Sequence, residues 1–295
     1  MKTIRTIKRE AKAALKGHWG IAIGILIIMY LITGALNLVA PTENNYDSTA
    51  IVLSILSVLI AVFVTLSIST GFVWFYLRLF DGESLKVVNL FDAFKKGMYL
   101  KAIWANILIA LLLIMWSLPT IILAIVISIA AAANMLSFWY LIVPVLLMLL
   151  PIIKTLGYEQ TFYLIKDNPT ISAYQAVKTS VVLMKNKRMK LFLTYLSFIG
   201  WMIVPLILLA YGTYLAIIDF MRNGDGIEAI IGVGLILLGM FIGMIVCLYV
   251  IPYFQTTMAS FYRSLQPKEV VESSNDNRQT ESLNDTNEPE PSRDE

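Results

Sequence analysis

The sequence predicts an all-α polytopic membrane protein with six transmembrane helices. Of its 295 residues, 58% are hydrophobic and only 15% are charged, with a mean hydropathy of +0.74. A soluble domain carries about 25% charged residues. The apolar residues also come in long blocks, and residues 102–153 contain no Asp, Glu, Lys, Arg or His. Because about 20 apolar residues cross a bilayer core, that block holds two spans and a turn.

The apolar blocks divide into six predicted spans. The first follows a basic leader as a signal peptide would, but its apolar part is longer than the usual h-region of about 7–15 residues, so we keep it as a span. The last is longer than a bilayer requires, which predicts a tilt or a bend near Pro252. The predicted spans are about 19–40, 51–77, 103–130, 136–157, 191–217 and 228–262.

The loops differ sharply in Lys and Arg content. The leader, the loop after span two and the loop after span four hold six, five and seven of these cations. The loops on the other side hold one, Arg222. Because Lys and Arg are enriched in cytoplasmic loops, the pattern predicts that both termini and both long loops face the cytoplasm.

Three short amphipathic segments precede spans one, three and five. They are the leader 1–18, with "IKREAKAALKGHWG", then "VVNLFDAFKKGMYLKAI", then "ISAYQAVKTSVVLMKNKRMKLF". Such helices lie in the interface with apolar faces in lipid. The third is predicted to begin with Asn168 as N-cap and Pro169 in the first turn. A repeat of one interfacial helix plus two spans is a hypothesis, since the units share little identity.

The cations of these segments are predicted to bind anionic lipid headgroups. Each contributes about 1 kcal/mol near an anionic surface, so no specific ligand is required. Nucleic acid is excluded as a partner because each cluster abuts a span and forms no recognised fold. The predicted lipid-interface residues are Lys8, Lys12, Lys95, Lys96, Lys185, Lys187, Arg188 and Lys190.

The C-terminal tail, residues 266–295, has a different composition. It holds nine acidic and three basic residues and no aromatic residue. Such a segment buries too little apolar surface to fold alone, so we expect a disordered tail in the cytoplasm. An acidic tail of this kind is also a candidate for recruiting a basic membrane-protein partner.

Ionisable residues within a span are functional candidates, and one polar patch comes near this condition. Lys154, Tyr158, Glu159 and Tyr163 gather at the end of span four. One hypothesis is that Glu159 pairs with a nearby cation or receives a cationic substrate. The interpretation that we favour is a helix end whose polar groups meet water.

Catalytic and metal-binding patterns are missing from the sequence. There is no Walker A loop, HExxH, GxSxG or dinucleotide-binding glycine pattern. With one cysteine, Cys247, and one histidine, His18, neither an intramolecular disulfide nor a zinc pattern can form. We therefore predict no cofactor and no enzymatic activity. Small residues predict helix packing instead, at Gly239 and Gly243, at Gly20 and Gly24, and at Gly200 with Trp201.

Several stretches resemble the DUF975 family of bacterial integral membrane proteins. They are "REAKAALKGHWG", "YLIKDNPTISAYQAVKTSVVLMKNKRMKLFLTYLSFIGW" and "IPYFQTTMASFYRSL". The resemblance covers most of residues 1–265. It implies six spans in a bacterial cytoplasmic membrane and assigns no activity. The family usually has glycine where this chain has Asn186, which argues against a tight turn at that position.

Three functions are compatible with these features. The first is a non-enzymatic membrane protein that maintains the envelope or assists other membrane proteins. The second is a transporter or exporter of a lipid, peptide or small molecule, with a polar cavity lined by Asn106, Ser54, Ser57 or Thr65. The third, an intramembrane enzyme, lacks a set of acid, base and nucleophile. Oligomeric state is not determined by these patterns.

Overall fold

The computed structural model describes residues 2–38, 48–133, 140, 142–222, 224 and 226–266. Every regular element in these ranges is helical, without a strand, as expected for the all-α class. A 3-10 helix covers Val87–Phe94. The α-helices are α1 Ile4–Leu15, α2 Trp19–Leu38, α3 Ser48–Asp81, α4 Tyr99–Ala132, α5 Ile142–Leu147, α6 Leu149–Thr155, α7 Thr161–Asp167, α8 Ala173–Leu183, α9 Arg188–Ile199, α10 Ile203–Arg222 and α11 Ile227–Arg263.

Five helical segments of the described chain are long and apolar enough to cross a membrane. They correspond to predicted spans one, two, three, five and six. The described part of the predicted fourth span forms two short helices, α5 and α6, of 6 and 7 residues. Its first residues, and the acidic tail beyond Gln266, lie outside the described residues. The structure therefore supports a protein with several apolar spans. The number of six spans stays a prediction.

The fifth predicted span is one segment with a short irregularity. Helix α9 passes through a single 3-10 turn, Gly200–Met202, into α10. Pro205 lies in the first turn of α10, and a proline lacks the N–H that would bond the carbonyl four residues before it. The 3-10 turn accommodates that break. In contrast, α11 runs for 37 residues straight through Pro252.

The buried core lies at one end of the helices. One cluster joins Ile7 of α1, Leu77 near the end of α3, Tyr163 of α7 and Tyr262 near the end of α11. Along the five apolar segments, only 6–22% of the residues in each hydrophobic window are buried. The helices are thus packed together firmly at this end, which we call the polar end, and expose most of their apolar length elsewhere.

Helix α1 is amphipathic, as predicted, but its apolar face packs on the protein. Ile7, Ala11 and Leu15 are fully buried. Thr3 caps the helix by accepting a hydrogen bond from the Thr6 N–H. The expectation that this face inserts into lipid was wrong, because the ends of α3 and α11 offer it an apolar surface.

The other two amphipathic segments also turn residues inward. In the 3-10 helix, Leu90 and Ala93 are buried, while Val88 is 70% exposed. The 3-10 helix packs closely on α3: a Cβ added to Gly71 of α3 would lie 1.9 Å from the carbonyl oxygen of Leu90. In α8, both Tyr174 and Val177 were predicted to face lipid. Tyr174 is exposed, but Val177 is buried against the protein.

Two local predictions around α8 were wrong. The helix begins at Ala173, and its N-cap is Ser172, whose hydroxyl accepts from the Gln175 N–H in a capping box. Pro169 instead lies in the preceding turn. At the other end, Asn186 has a φ of 61° and forms the turn into α9. Asn tolerates this left-handed conformation better than most residues, so a tight turn is kept without glycine.

The glycines predicted at helix contacts differ in their surroundings. A Cβ added to Gly239 would lie 3.1 Å from Leu208 Cβ, and one added to Gly243 would meet Pro205 at 3.5 Å. Around Gly20, Gly24 and Gly200 nothing lies within 4 Å. Trp201 does reach α11, with its ring 5.6 Å from that of Tyr249, but it is 50% exposed.

The closest approach of α10 and α11 involves two glycines that the spacing rules did not single out. A Cβ added to Gly212 would lie 2.6 Å from the Gly232 carbonyl oxygen, and one added to Gly232 would lie 2.5 Å from that of Gly212. The two backbones touch here, because neither residue has a side chain to separate them.

Candidate functional site

The polar end holds a network of charged side chains centred on Arg263. Its guanidinium donates to both oxygens of Asp81, at 2.9 Å from Nε and 2.6 Å from Nη2. It also donates through Nη2 to Asp167 Oδ1 at 3.0 Å and through Nη1 to Asp167 Oδ2. We call this group the Arg263 clamp. It joins the last residues of α3, α7 and α11.

Two further side chains complete the hydrogen bonds of the clamp. The Tyr262 hydroxyl donates to Asp167 Oδ2 at 2.7 Å, and the Gln266 amide donates to the same oxygen at 2.8 Å. Burial alone would raise the pKa of Asp167, but the hydrogen bonds and charge of Arg263 hold that pKa below its ordinary value. Asp167 therefore stays ionised, as an ion-paired carboxylate does.

Lys166 lies beside the clamp and ties α7 to α3. Its amine donates to the Trp74 carbonyl at 3.0 Å, and the Trp74 indole donates to the Phe162 carbonyl at 2.8 Å. Burial lowers the pKa of Lys166 to about 8, although the carboxylates of Glu83, Asp81 and Asp167 act in the opposite direction. Burial therefore makes the charged form of Lys166 less favourable than it would be in water.

A second ion-pair network links the end of α3 to the 3-10 helix. Arg78 Nη1 lies 2.8 Å from Glu83 Oε2, and Arg78 Nη2 lies 2.8 Å from Asp92 Oδ2. Asp92 is buried, and its other oxygen meets Lys95 at 2.8 Å. Lys95, predicted to bind lipid headgroups, is therefore paired within the protein.

The predicted polar patch is split in two. Lys154 lies over the Trp116 ring, 4.6 Å from its centre, and the Trp116 indole donates to the Tyr158 hydroxyl at 3.2 Å. Glu159 and Tyr163 point to other helices. The four residues do not surround one centre, because the turn after α6 sends them in different directions.

Glu159 is a partly buried carboxyl with one hydrogen-bond donor. The Tyr195 hydroxyl of α9 donates to it at 2.7 Å. Burial raises the pKa of Glu159, and the bond from Tyr195 acts against that rise. Tyr163 stacks on Tyr262 with ring centres 5.0 Å apart, and burial together with the charge of Glu159 raises its pKa. The expected pairing of Glu159 with a cation is not among the described ion pairs.

The predicted lipid-interface cations fall into two groups. Lys12, Lys96 and Lys185 are exposed, as a headgroup contact requires. Others turn back onto the protein: the Lys8 amine lies 4.0 Å from the centre of the Phe198 ring and donates to the Ser197 carbonyl at 3.3 Å, so burial lowers its pKa. Lys190 donates to the Lys2 carbonyl, and Arg188 packs on Gly157. Lys187 is partly buried.

The Arg263 clamp was not predicted from sequence. Asp81, Asp167 and Arg263 each follow an apolar or helical run, where charged residues ordinarily meet water. The available signal was that all three stand at the ends of runs on the same predicted side of the membrane. Among the described residues, no three His, Cys, Asp or Glu side chains come together as a metal site would require.

Comparison with known proteins identifies a family for this chain. No curated protein and no solved structure matches the chain. A family model described as "Protein of unknown function (DUF975)" matches residues 1–269 of 295. The match includes every helix of the described residues and the whole Arg263 clamp, and it ends near the start of the acidic tail. The chain belongs to the DUF975 family.

Proposed function

We propose that this chain is a non-enzymatic integral protein of the bacterial cytoplasmic membrane that assists other membrane proteins by binding their apolar helices. The observation that carries this proposal is the low burial of its spans, at 6–22% of each hydrophobic window. The firm core lies at the polar end, and beyond it α10 and α11 meet at Gly212 and Gly232. The helices therefore present long apolar surfaces sideways, into the bilayer.

Binding of a partner helix within the bilayer does not depend on the hydrophobic effect. Helices associate in lipid through close packing and interhelical hydrogen bonds. The exposed faces of α3 and α11 are rich in Leu, Ile and Val, and they contain small residues such as Gly234, with open space around it. Those faces fit an apolar helix of a partner.

Site-specific photo-crosslinking in cells tests this role. A photoreactive amino acid is placed at Leu59 of α3 or at Leu237 of α11, which are 47% and 61% exposed. Lys12, an exposed residue of α1, is the control. We expect both span positions to crosslink to a common set of membrane proteins, and Lys12 to give none of them. Crosslinks to lipid alone, or only to another copy of this chain, contradict the proposal.

A second candidate function is transport of a lipid or small molecule. A groove of about 380 Å³ lies between α2 and α3 and includes Ser57 and Thr65, two residues of the predicted cavity. Its other lining residues are apolar, and the Ser57 hydroxyl already donates to the Ser54 carbonyl at 2.9 Å. Asn106 lies elsewhere and bonds to Thr70 at 3.2 Å.

The groove can be filled without touching the polar end. Ala61→Phe places a ring in it, and Glu159→Gln tests the polar patch. If the protein moves lipid, Ala61→Phe should slow the scrambling of a fluorescent lipid in proteoliposomes, compared with Ala124→Phe on α4. Equal rates in wild-type protein and in protein-free vesicles reject this function.

The acidic tail adds a partner hypothesis of its own. Residues 270–295 lie beyond the family match, so membership of the family implies no role for them. If the tail recruits a basic membrane-protein partner, removal of residues 266–295 should reproduce the phenotype of a full deletion. Wild-type behaviour of the truncated protein contradicts recruitment through the tail.

A further inference from the structure

Arg188 begins α9 and folds back onto the turn formed by residues 156–160. Its guanidinium covers the backbone of Gly157: a Cβ added there would lie 2.9 Å from Nη2 and 3.2 Å from Cζ. Its Nε is buried and has no hydrogen-bond acceptor. No carboxylate in the described part of the chain pairs with it. Arg188 is thus a partly buried cation without a counter-ion.

Gln160, in the same turn, has unused hydrogen-bonding groups. Its side chain is fully buried, and neither the amide oxygen nor the amide nitrogen has a partner. The turn itself is rigidly held, because the Gln160 N–H donates to the Ser180 hydroxyl at 3.2 Å and that hydroxyl donates to the Gly157 carbonyl at 2.7 Å. One turn therefore carries the unpartnered amide of Gln160 and has the unpartnered Nε of Arg188 packed against it.

A buried donor without an acceptor destabilises the folded protein, and a buried charge without a partner destabilises it more. The acid in the same turn does not balance Arg188, because Glu159 is bonded to Tyr195. The surrounding charge is positive, from Lys154 three residues before Gly157 and from Lys187 directly before α9. The 12-residue α9 has no side-chain cap at its N-terminus, and a helix N-terminus favours an anion.

We propose that Arg188 and Gln160 bind one phosphate group, carried by an anionic lipid headgroup or present as free phosphate. The guanidinium suits phosphate because its planar N–H groups bond two oxygens at once. The Gln160 amide supplies a further N–H. This site is specific to two residues and differs from a diffuse attraction of all the cations near α9. It does not depend on the proposed binding of partner helices.

Native mass spectrometry of the full-length protein in a non-ionic detergent tests the proposal. The probes are phosphatidylglycerol and, as the control lipid, a monoglucosyl diacylglycerol with the same acyl chains and no phosphate. Arg188→Gln is compared with Lys185→Gln, which removes the same charge from an exposed residue three positions earlier. We expect wild-type protein and Lys185→Gln to retain one phosphatidylglycerol. Arg188→Gln should bind it at least about tenfold more weakly.

A second measurement identifies the source of the phosphate. Thermal unfolding is followed in inorganic phosphate and in chloride at equal ionic strength. Stabilisation by phosphate in wild-type protein and Lys185→Gln, but not in Arg188→Gln, with no retained phosphatidylglycerol, identifies free phosphate as the ligand. Retained phosphatidylglycerol identifies the lipid. Binding of neither probe, or equal binding by the two variants, overturns the proposal.

Gln160→Leu covers the case in which Arg188→Gln does not fold. It keeps every charge and removes only the unpartnered amide. We expect it to fold, to bind phosphatidylglycerol or phosphate several-fold more weakly than Lys185→Gln, and to leave retention of the glucosyl lipid unchanged. Binding by Gln160→Leu equal to that of wild-type protein overturns the proposal for a site that includes this residue.

Discussion

Arg263 and Asp81 are 182 residues apart in the chain, yet two hydrogen bonds, of 2.9 and 2.6 Å, join their side chains. The bond pair ties the end of α11 to the end of α3, and Asp167 adds the end of α7. The side chains of Arg263, Asp81 and Asp167 are only 14%, 8% and 21% exposed. Their interaction is therefore shielded from water, which distinguishes it from an ordinary surface salt bridge.

Arg263→Gln should destabilise the protein strongly. It removes the guanidinium that bonds both Asp81 and Asp167, and removal of one partner of a buried ion pair costs about 3–5 kcal/mol. Thermal unfolding in detergent measures the effect. The control is Lys95→Gln, because Lys95 is also ion-paired but is 67% exposed. An equal, small shift in both variants would show that the clamp contributes nothing to stability.

Lys166 should make stability depend on pH in the alkaline range. Its pKa is about 8 in the folded protein and about 10.4 in an unfolded chain. Between these values the unfolded state binds more protons, so the free energy of unfolding rises with pH. The rise is at most about 3 kcal/mol. Lys166→Met should lose it, while Lys96→Met, at an exposed residue, should keep it. Parallel stability curves for both variants between pH 8 and 10.5 contradict this assignment.

Glu159 should have the opposite effect in the acidic range. Its pKa is raised in the folded protein. As pH rises above about 4.5, the unfolded chain loses its proton first, so stability falls until the folded pKa is passed. Glu159→Gln should remove this fall. Between pH 4 and pH 7, the unfolding temperature of Glu159→Gln should therefore drop less than that of wild-type protein.

Tyr195→Phe provides the matched test of Glu159. It removes the hydrogen bond that lowers the pKa of Glu159, so the fall in stability should extend to higher pH. Thermal unfolding of wild-type protein and of this variant across the acidic pH range measures this shift. A fall that shifts to lower pH, or that persists in Glu159→Gln, assigns the titration to another group.

Gly232→Ala and Gly234→Ala should change stability in opposite directions. A Cβ at Gly232 meets the Gly212 carbonyl at 2.5 Å, and backbone cannot yield cheaply. Overpacking of this kind costs about 1–3 kcal/mol. Around Gly234 nothing lies within 4 Å, so alanine should stabilise the helix by about 0.5–1 kcal/mol. Unfolding temperatures of the two variants compare them directly, and a loss in both would place the constraint in the helix rather than at the contact.

Periodicity and composition predicted the helices more accurately than their surroundings. Helix α3 covers the predicted span 51–77, and α4 covers 103–130, because apolar length is a local property of the chain. The predicted patch around Glu159 separated into two contacts, since helical spacing says which residues share a face and not which helix that face meets. The cations near α9 likewise divided into Lys185 in solvent and Arg188 on Gly157.

The sequence by itself determined that this is an all-helical chain with several apolar spans, because block length and charge content need no knowledge of contacts. It also determined the amphipathic character of α1. Only the tertiary structure decided where that apolar face lies, and that Asp81, Asp167 and Arg263 form one clamp. Charged residues at helix ends look alike in a sequence. Whether they meet water or one another depends on which ends the packing of distant helices brings together.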